Sequence, residues 1–575
     1  MESVIENNVV NLRFGLSPEQ ERAVLSRAKK LKNALKQERD YYDSDYYELS
    51  RQFAPHLFRN QTTQRTTKSL WKGIINNTGR RALRTLASGM QAGLTSPSRP
   101  WLKLGIEDTD LAEFHSVRDW LQTTTNMMLT IFRRTRMYDT AHMVYTNLGA
   151  FGTGSQIIIQ DFEEMMLFKA LMMGRYWIGI NNKGRVEMCV IERHMNIEQM
   201  VREYGINNVD ADTRNAYDKG DYYLPKIVYI AIFKNPYAVM EGTKAIIASN
   251  EKPFISCHWT NNHERPLKTA GFNRFPVQAP RWEVTDDEAW GVGTGHDAIG
   301  DTNAMQLKER EKAKGLQKMV SPSLSAPAEM RGGQFPISGL PGGVTYRPQN
   351  APPDAIRTTF EVNLPLQYLM QDIQIDEDRV NRAFYADLFL MLANSDRRQM
   401  TATEVAERHE EKLLALGSVV ERLNYEYLDP MVERTFEIMR ESGIVPEAPP
   451  ELDGVPLKIE YISLLAQAQQ QVGIGSIEKF MSFTGFAAQY KPEALDKVNV
   501  DEAIDNVGRM LGVPSSVVVS DDKVAQVRKQ RAQEQQAQLQ QQQAMGAIDA
   551  AKSLSETPIG DNNALEQLVG GNTNG

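Results

Sequence analysis

The sequence predicts an α+β fold, and three observations favour it. Helical periodicity and capping signals dominate the first 150 residues, short strand-like runs follow them, and long helices return after residue 295. The chain has 575 residues, of which 41% are hydrophobic and 24% are charged. That length allows several domains, and that composition is typical of a globular protein.

The first helix has a clear start. Ser17 can cap it, Pro18 suits the first helical position, and Gln20 can complete a capping box. We expect this helix to run to about Phe53, just before a proline. Further helices are predicted over about 69–90, 110–136 and 138–148.

The strand-like part of the chain begins with SQIIIQD (155–161). YWIGI-NNKG-RVEMCVIE (176–192) predicts a hairpin, because Asn181, Asn182 and Gly184 supply turn chemistry. Further strands are predicted at 226–233 and 253–259.

Two long helices are predicted around a segment rich in Pro, Gly and Ser. The first runs from Gly295 or His296 to about Met319, the segment covers 320–360, and the second helix covers 366–392. Both helices have narrow apolar stripes, so a second surface is needed to cover them. The middle of the second helix is acidic, with Asp372, Asp376, Glu377 and Asp378.

The stretch DRRQMTATEVAERHEEKL (396–413) places Arg397 and Arg398 in a short loop before another helix. Thr401 to Glu404 form a capping box for that helix, and Pro430 predicts a kink before the helix resumes to Glu441. A small helical unit is expected over 461–511, and a glutamine-rich, low-complexity segment over 529–545.

Several familiar sites are not supported by the sequence. GVGTGH (291–296) lacks the third glycine of a dinucleotide loop, and GAFGTGSQ (149–156) lacks the Lys-Ser/Thr of a P-loop. Cys257, His258 and His263 do not have zinc-ligand spacing, so we interpret them as packed strand residues. We therefore expect no cofactor, no metal site and no catalytic residue.

Charge and cysteine content limit the class of protein further. The net charge of −8 argues against a protein that grips nucleic acid over its whole surface, although a local basic site remains compatible with it. Cys189 and Cys257 are too few for a disulfide framework, which indicates a reducing compartment. The start MESVIENN is not a signal peptide, and no apolar run is long enough to cross a membrane.

Four segments resemble the portal proteins, or head-to-tail connecting proteins, of short-tailed phages. They are TLASGMQAGLTSPSRPWLKL (85–104), PRWEVTDDEAWGVGTGHDAIGDTNAMQLKEREKAKGLQKMVSPSL (280–324), DRRQMTATEVAERHEEKL (396–413) and NVDEAIDNVGRMLGVP (499–514). The similarity extends from about residue 20 to 520 and leaves the tail uncovered.

The resemblance implies a division of the chain into parts. It implies a wing (1–295), stem helix one (296–319), a clip (320–360), stem helix two (361–392), a tunnel loop (393–401), a long kinked wing helix (402–445), a crown (446–515) and a Gln-rich tail (516–575) that is flexible or forms a helical tube. It places the tunnel-loop residues Asp396, Arg397, Arg398 and Gln399 against DNA. We add the hypothesis that part of the acidic set 372–378 faces the channel, and that the lysines of 308–318 face neighbours or the outside.

The resemblance also implies partners and a location. The subunits would form a ring, usually a dodecamer, at one capsid vertex of the virion, after assembly in the host cytoplasm. Double-stranded DNA would pass through the ring transiently, and the ring would dock the terminase large subunit, a tail adaptor and the capsid or scaffolding protein. Two alternatives stay open: a metal-dependent nucleic-acid enzyme that uses the 372–378 acids, and another structural head or tail adaptor. Arg397 and Arg398 could instead pair with acids of a neighbouring subunit.

Overall fold

The structure, a computed structural model, describes most of the chain up to residue 462 and short pieces beyond it. The described residues are 16–59, 73–238, 252–325, 356–358, 365–394, 416–462, 480–486, 524, 527–531, 533–534, 536, 558–559 and 562–563, with gaps at 109–110, 112–113, 162, 262–263 and 286. The chain divides into two compact units, Met1–Gln469 and Gln470–Gly575. The predicted tunnel loop at 393–401 falls almost wholly outside the described residues, as do most of the predicted clip, crown and tail.

The first unit contains both helices and strands, which agrees with the predicted α+β class. Its helices are α1 (Pro18–Asp40), α2 (Asp43–Phe53), α3 (Thr78–Leu94), α4 (His115–Arg134), α5 (Met137–Phe151), α6 (Ile197–Tyr204), α7 (Ala211–Asp218), α8 (Thr294–Val320), α9 (Leu366–Ala383), α10 (Ala386–Asn394) and α11 (Asp429–Glu441). Its strands are β1 (Leu102–Ile106), β2 (Gln156–Asp161), β3 (Met165–Ala170), β4 (Tyr176–Ile180), β5 (Val186–Asn196), β6 (Pro225–Lys234), β7 (Phe254–Trp259), β8 (Lys268–Phe272), β9 (Val277–Gln278), β10 (Leu324–Ser325), β11 (Arg357–Thr358) and β12 (Leu457–Tyr461). Among the described residues, no helix is long and apolar enough to cross a bilayer.

A five-stranded antiparallel sheet carries the predicted hairpin. Its order is β4-β5-β6-β7-β8, so each strand pairs with the next one along the chain. Helix α1 covers this sheet, burying Val24, Leu25 and Ala28 in one cluster with Trp177 and Tyr229. This sheet is therefore covered by a helix that lies more than 130 residues earlier in the sequence.

Two further strand pairings join distant parts of the chain. β2 lies at the centre of a three-stranded sheet of order β3-β2-β9, and β1 pairs antiparallel with β12. In the second pairing, Leu102 lies opposite Tyr461. The pairing of β1 with β12 was not predicted, because a short strand near residue 102 gives no indication of a partner more than 350 residues later.

The first predicted helix is divided, which corrects one expectation. The capping box of Ser17 with Gln20 is present as predicted. However, α1 ends at Asp40 and α2 begins at Asp43, so the helix is not continuous to Phe53. The physical reason is that α1 packs on the five-stranded sheet, whereas Tyr46 and Phe53 of α2 belong to the larger core. One straight helix cannot cover both cores.

The second long helix is also divided, because α9 ends before Tyr385 and α10 begins after it. Tyr385 has a left-handed backbone conformation with φ of 51°. Phe384 and Phe389 are both buried in the main core. On a continuous helix two side chains five residues apart would point about 140° away from each other, so the break lets both rings be buried. Phe384 packs edge-on against Phe53, with ring centroids 5.1 Å apart.

The irregularity that Pro430 predicts is present as a wider helical turn. Residues Asn424–Leu428 form a π-helix directly before α11. Pro430 has no N–H to donate to the carbonyl four residues earlier, and the Asp429 N–H instead donates to the Asn424 carbonyl, five residues back.

The glycine-rich stretches at 149–156 and 291–296 contact each other, and this contact explains why both contain glycine. Gly152 ends α5 with φ of 72°, and a Cβ added there would lie 2.2 Å from the Gly291 carbonyl oxygen. A Cβ on Gly295, in the first turn of α8, would lie 2.2 Å from the Ala150 carbonyl oxygen. The glycines are thus needed for two backbones that cross at close range, and this crossing fixes where α8 begins.

The second unit is described only in short pieces. Residues 480–486 are helical, and Pro558–Ile559 pairs antiparallel with Asn562–Asn563.

Candidate functional site

The candidate site lies on the antiparallel pair formed by α8 and α9, which we call the helix pair. Its centre is an ion cluster. The Lys308 ammonium lies 2.6 Å from the Asp372 carboxylate and 2.8 Å from the Asp376 carboxylate. Hydrogen bonds to Asp372 and Asp376 raise the pKa of Lys308, so its positive charge is stabilised.

The four acids of the predicted channel wall have different surroundings. Asp376 is 3% exposed, and Arg379 adds a weaker contact to it at 3.9 Å. Asp372 and Asp378 are exposed, whereas Glu377 is half-buried. Of these four acids, only Asp372 and Asp378 therefore present exposed carboxylates in the isolated subunit. Whether any of the four lines a channel stays a prediction.

Lys308 differs from the expectation that the lysines of this helix face outward or toward neighbours. It points at α9 of its own chain, because the acids of α9 lie directly opposite it in the antiparallel pair. Lys314, by contrast, is exposed and pairs with Glu311 on its own helix at 2.8 Å. The charges of α8 thus divide between an inner contact and an exposed surface.

Polar side chains form hydrogen bonds between the helix pair and the segment at the start of α3. Gln306 accepts hydrogen bonds from the backbone N–H groups of Ile75 and Asn76, at 2.8 and 3.0 Å. The Gln306 amide also donates to the Asn76 carbonyl at 2.7 Å. Glu377 accepts from the Asn76 side chain at 2.8 Å and from the Thr78 hydroxyl at 3.2 Å.

The sequence does not predict these hydrogen bonds. Gln306 and Asn76 are 230 residues apart, and neither belongs to a motif. No sequence signal identifies the contact, because an amide in a helix is usually exposed.

The helix pair exposes several large apolar side chains. Tyr368 is 74% exposed and Ile375 is 50% exposed. These two residues are seven apart on α9, so they lie on one face of the helix. On α8, Leu307 is also exposed. Within the described residues nothing covers this face, which agrees with the expectation that the helices need a second surface.

The arginines of the predicted loop lie outside the described residues. Asp396, Arg397, Arg398 and Gln399 are all in this position, so their contact with DNA stays a prediction.

The cysteine and histidine of β7 are packed strand residues, as expected. Burial raises the pKa of the Cys257 thiol to about 12. His258 Nδ1 lies 3.0 Å from the Tyr204 hydroxyl, and burial, with Lys268 and Arg193 nearby, lowers its pKa to about 3. His263 lies outside the described residues.

The metal-dependent enzyme is not favoured by this geometry. The Lys308 ammonium occupies the position between Asp372 and Asp376 that a cation would take. In the part of the chain that the structure describes, no group of three or more His, Cys, Asp or Glu residues could hold a metal ion.

Comparison with known proteins gives matches along most of the chain. Residues 25–519 match the family described as "Bacteriophage head to tail connecting protein". The chain is 38% identical over 536 residues to the "Probable portal protein" of Bordetella phage BPP-1, covering 93% of this chain and 96% of the relative. It is 36% identical over 546 residues to the "Portal protein" of Salmonella phage epsilon15, with the same coverage of 93% and 96%.

A solved structure is similar at a much lower level. A chain of the "Virion of native gene transfer agent (GTA) particle" aligns with a TM-score of 0.31 and 12% identity, over 79% of this chain and 96% of that chain. A likeness of this size is too weak to indicate a shared function.

Proposed function

The chain belongs to the bacteriophage head to tail connecting protein family and acts as a phage portal, and from that premise we propose that its copies close into a ring, usually a dodecamer, around a channel for double-stranded DNA. The single observation that carries this proposal is the match of residues 25–519 to the family, with two portal relatives each covering 93% of the chain. DNA would enter the capsid through the ring during packaging and leave through it during ejection. Closed rings satisfy repeated heterologous contacts without open ends.

The exposed apolar side chains of the helix pair support the formation of a ring. Tyr368, Ile375 and Leu307 expose apolar surface that the subunit leaves uncovered within its described part. A neighbouring copy provides the cover, since burial of such side chains is favourable by roughly 1.5–3 kcal/mol each. Under this proposal α8 and α9 are the stem helices.

The charge of the helix pair suits a channel wall that lets DNA slide. Helix α8 has 27 residues and is therefore about 40 Å long. Duplex DNA of that length carries about 24 phosphate charges. Repeated rings of free lysines would release many counterions and hold the DNA in place. The pairing of Lys308 with Asp372 and Asp376 supports a wall of mixed sign instead.

We propose two kinds of DNA-facing residue on this basis. Exposed acids of the helix pair, Asp372 and Asp378, repel the passing DNA weakly. Arg397 and Arg398, in the tunnel loop at 393–401, meet its phosphates. The combination gives brief contacts at one level of the ring and weak repulsion along the stem.

The other parts of the chain receive their roles by the same proposal. The wing is 1–295, the stem helices are 296–319 and 361–392, the long kinked helix is 402–445, the crown is 446–515 and the tail is 516–575. The clip, at 320–360, docks the terminase large subunit and later a tail adaptor, and the ring meets the capsid or scaffolding protein at one vertex of the virion. Assembly takes place in the host cytoplasm. The terminase supplies ATP hydrolysis, and the portal itself is not an enzyme.

Electron microscopy of the purified full-length protein tests the proposal. We expect round particles with a central hole and rotational symmetry, and a mass by light scattering that is an integer multiple of 65.0 kDa. A compact monomer at all protein concentrations would contradict it. Cleavage of DNA that depends on a divalent metal would instead favour the enzyme.

A further inference from the structure

A basic cavity of about 470 Å³ opens between β3, β5 and α6. Lys169 reaches it from β3 and Arg193 from β5. Helix α6 contributes Gln199, Arg202 and Glu203. Three cations and one carboxylate thus line the same cavity, on elements that belong to two different sheets and a helix.

The one carboxylate in the lining is already used. Both Glu203 oxygens lie close to Arg193 Nη1, at 2.8 and 2.9 Å. Within the described part of the chain, no carboxylate lies within ion-pair distance of Lys169 or Arg202. The cavity therefore carries a positive charge of about two that its own residues leave uncompensated.

The surroundings do not remove this charge. His194, also in the lining, has its Nε2 atom 2.8 Å from the Glu192 carboxylate. Glu192 is buried and does not line the cavity. Burial and then Arg193 lower the pKa of Lys169, and the Glu203 carboxylate raises it by a smaller amount.

We propose that this cavity binds a phosphate group, which accepts hydrogen bonds from Lys169 and Arg202 in front of the Arg193–Glu203 pair. The tetrahedral oxygens of phosphate can accept from donors on three different elements at once, whereas a planar carboxylate is best served by one guanidinium fork. The phosphate comes either from free inorganic phosphate or from a nucleic-acid backbone. The proposal uses no residue of the helix pair and does not depend on ring formation.

Titration calorimetry with inorganic phosphate, on the full-length protein, tests the proposal. Arg202→Gln and Lys169→Gln should each weaken phosphate binding by about tenfold or more, because each removes a charge-assisted hydrogen bond. Arg118→Gln is the matched control, since Arg118 is an exposed arginine outside the cavity, and it should leave binding unchanged. Glu203→Gln should strengthen binding, because it releases Arg193 and removes the one negative charge of the lining.

The increase in affinity with Glu203→Gln separates a phosphate site from a structural role, since damage to the fold would weaken binding in every variant. A second titration uses a short DNA duplex at matched ionic strength. If Arg202→Gln weakens both titrations, the site takes backbone phosphates; if it weakens only the first, the ligand is free phosphate. Phosphate binding that is absent, or equal in wild type, Arg202→Gln and Glu203→Gln, overturns the proposal, as does binding of polyglutamate in place of phosphate.

Discussion

Buried charge in this subunit is held by partners within the same chain. Asp376 is held by Lys308, and Arg281 is held by Glu426. Removing one partner leaves the other charge in a site with little water, which costs more than the pair contributes when it is intact. Substitutions at these residues should therefore have effects well above those at exposed ion pairs.

Replacing Lys308 with Met should destabilise the subunit by about 1–2 kcal/mol. This value is below the 3–5 kcal/mol typical of a fully buried pair, because Asp372 remains exposed and solvent screens part of the interaction. Lys314→Met is the matched control, since its partner Glu311 is exposed, and it should cost much less than Lys308→Met. Urea denaturation at fixed protein concentration measures both. Equal losses in the two variants would show that Asp376 does not depend on Lys308.

The pH dependence of the Lys308 contribution has a definite sign. The folded state raises the pKa of Lys308 above its ordinary value of 10.5. The stabilisation is therefore complete below pH 10.5 and is lost as the pH rises through the higher folded value. The difference in stability between wild type and Lys308→Met should accordingly be constant at pH values well below 10.5 and shrink as the pH rises above 10.5.

Gly152→Ala should cost at least 2 kcal/mol, roughly twice the cost of Gly184→Ala. Both glycines have positive φ, of 72° and 71°, so both variants incur a backbone cost of about 1–2 kcal/mol. Only at Gly152 does the new Cβ also meet a backbone atom, at 2.2 Å, whereas nothing lies within 4 Å of one at Gly184. Thermal unfolding of the two variants compares them directly. Equal costs would mean that the crossing with Gly291 contributes nothing.

At the scale of elements, the sequence predicts what is local and misses what is distant. Ser17 and Gln20 are three residues apart, so their capping box could be predicted, as could the turn at Gly184. The breaks at Tyr41 and Tyr385 could not. The first arises where one predicted helix meets two separate cores, and the second lets two rings five residues apart both enter the main core. The same holds for the candidate site: the acids of α9 could be recognised, but their partner Lys308 could not.

One buried ion pair contacts the π-helix at Asn424–Leu428. Arg281 is 4% exposed and donates to Glu426 from Nη2 at 2.6 Å and from Nε at 3.2 Å. Its backbone N–H also donates to the same carboxylate at 3.0 Å. This ion pair joins the segment before α8 to the helix around Pro430. The glycine crossing positions the first of these elements, so the ion pair links that position to the helix around Pro430.

Glu426→Gln should destabilise the subunit by about 3 kcal/mol, because it leaves the Arg281 guanidinium buried without a counter-charge. Glu433→Gln, which removes the partner of the exposed Arg274, is the matched control and should cost no more than about 1 kcal/mol. Hydrogen exchange of residues 424–428 should also speed up in Glu426→Gln and stay unchanged in the control. Unchanged exchange there would argue against the role of Arg281 in holding the π-helix.

At the scale of the whole molecule, the proposed ring gives the exposed apolar face of the helix pair a neighbouring copy that covers it. Tyr368→Glu with Ile375→Glu should lower the fraction of ring particles strongly, because the charged side chains cannot be buried against a neighbouring copy. Tyr41→Glu replaces a tyrosine of similar exposure away from the helix pair, and it should leave the rings intact. Sedimentation velocity measures the ring fraction. Rings that survive the double change would place the subunit contact on another surface.

Arg397→Ala with Arg398→Ala tests the whole assembly, because it separates DNA contact from ring formation. If the two arginines meet the passing phosphates, the rings form normally but retain or package less DNA, since each lost cation removes one phosphate contact per subunit. Lys314→Ala, at an exposed position of α8, is the control for a simple loss of positive charge. Electron microscopy counts the rings, and nuclease-protected DNA in assembled particles measures packaging. If the double variant fails to form rings, the arginines pair with acids of a neighbouring subunit, and the proposed tunnel-loop contact with DNA is wrong.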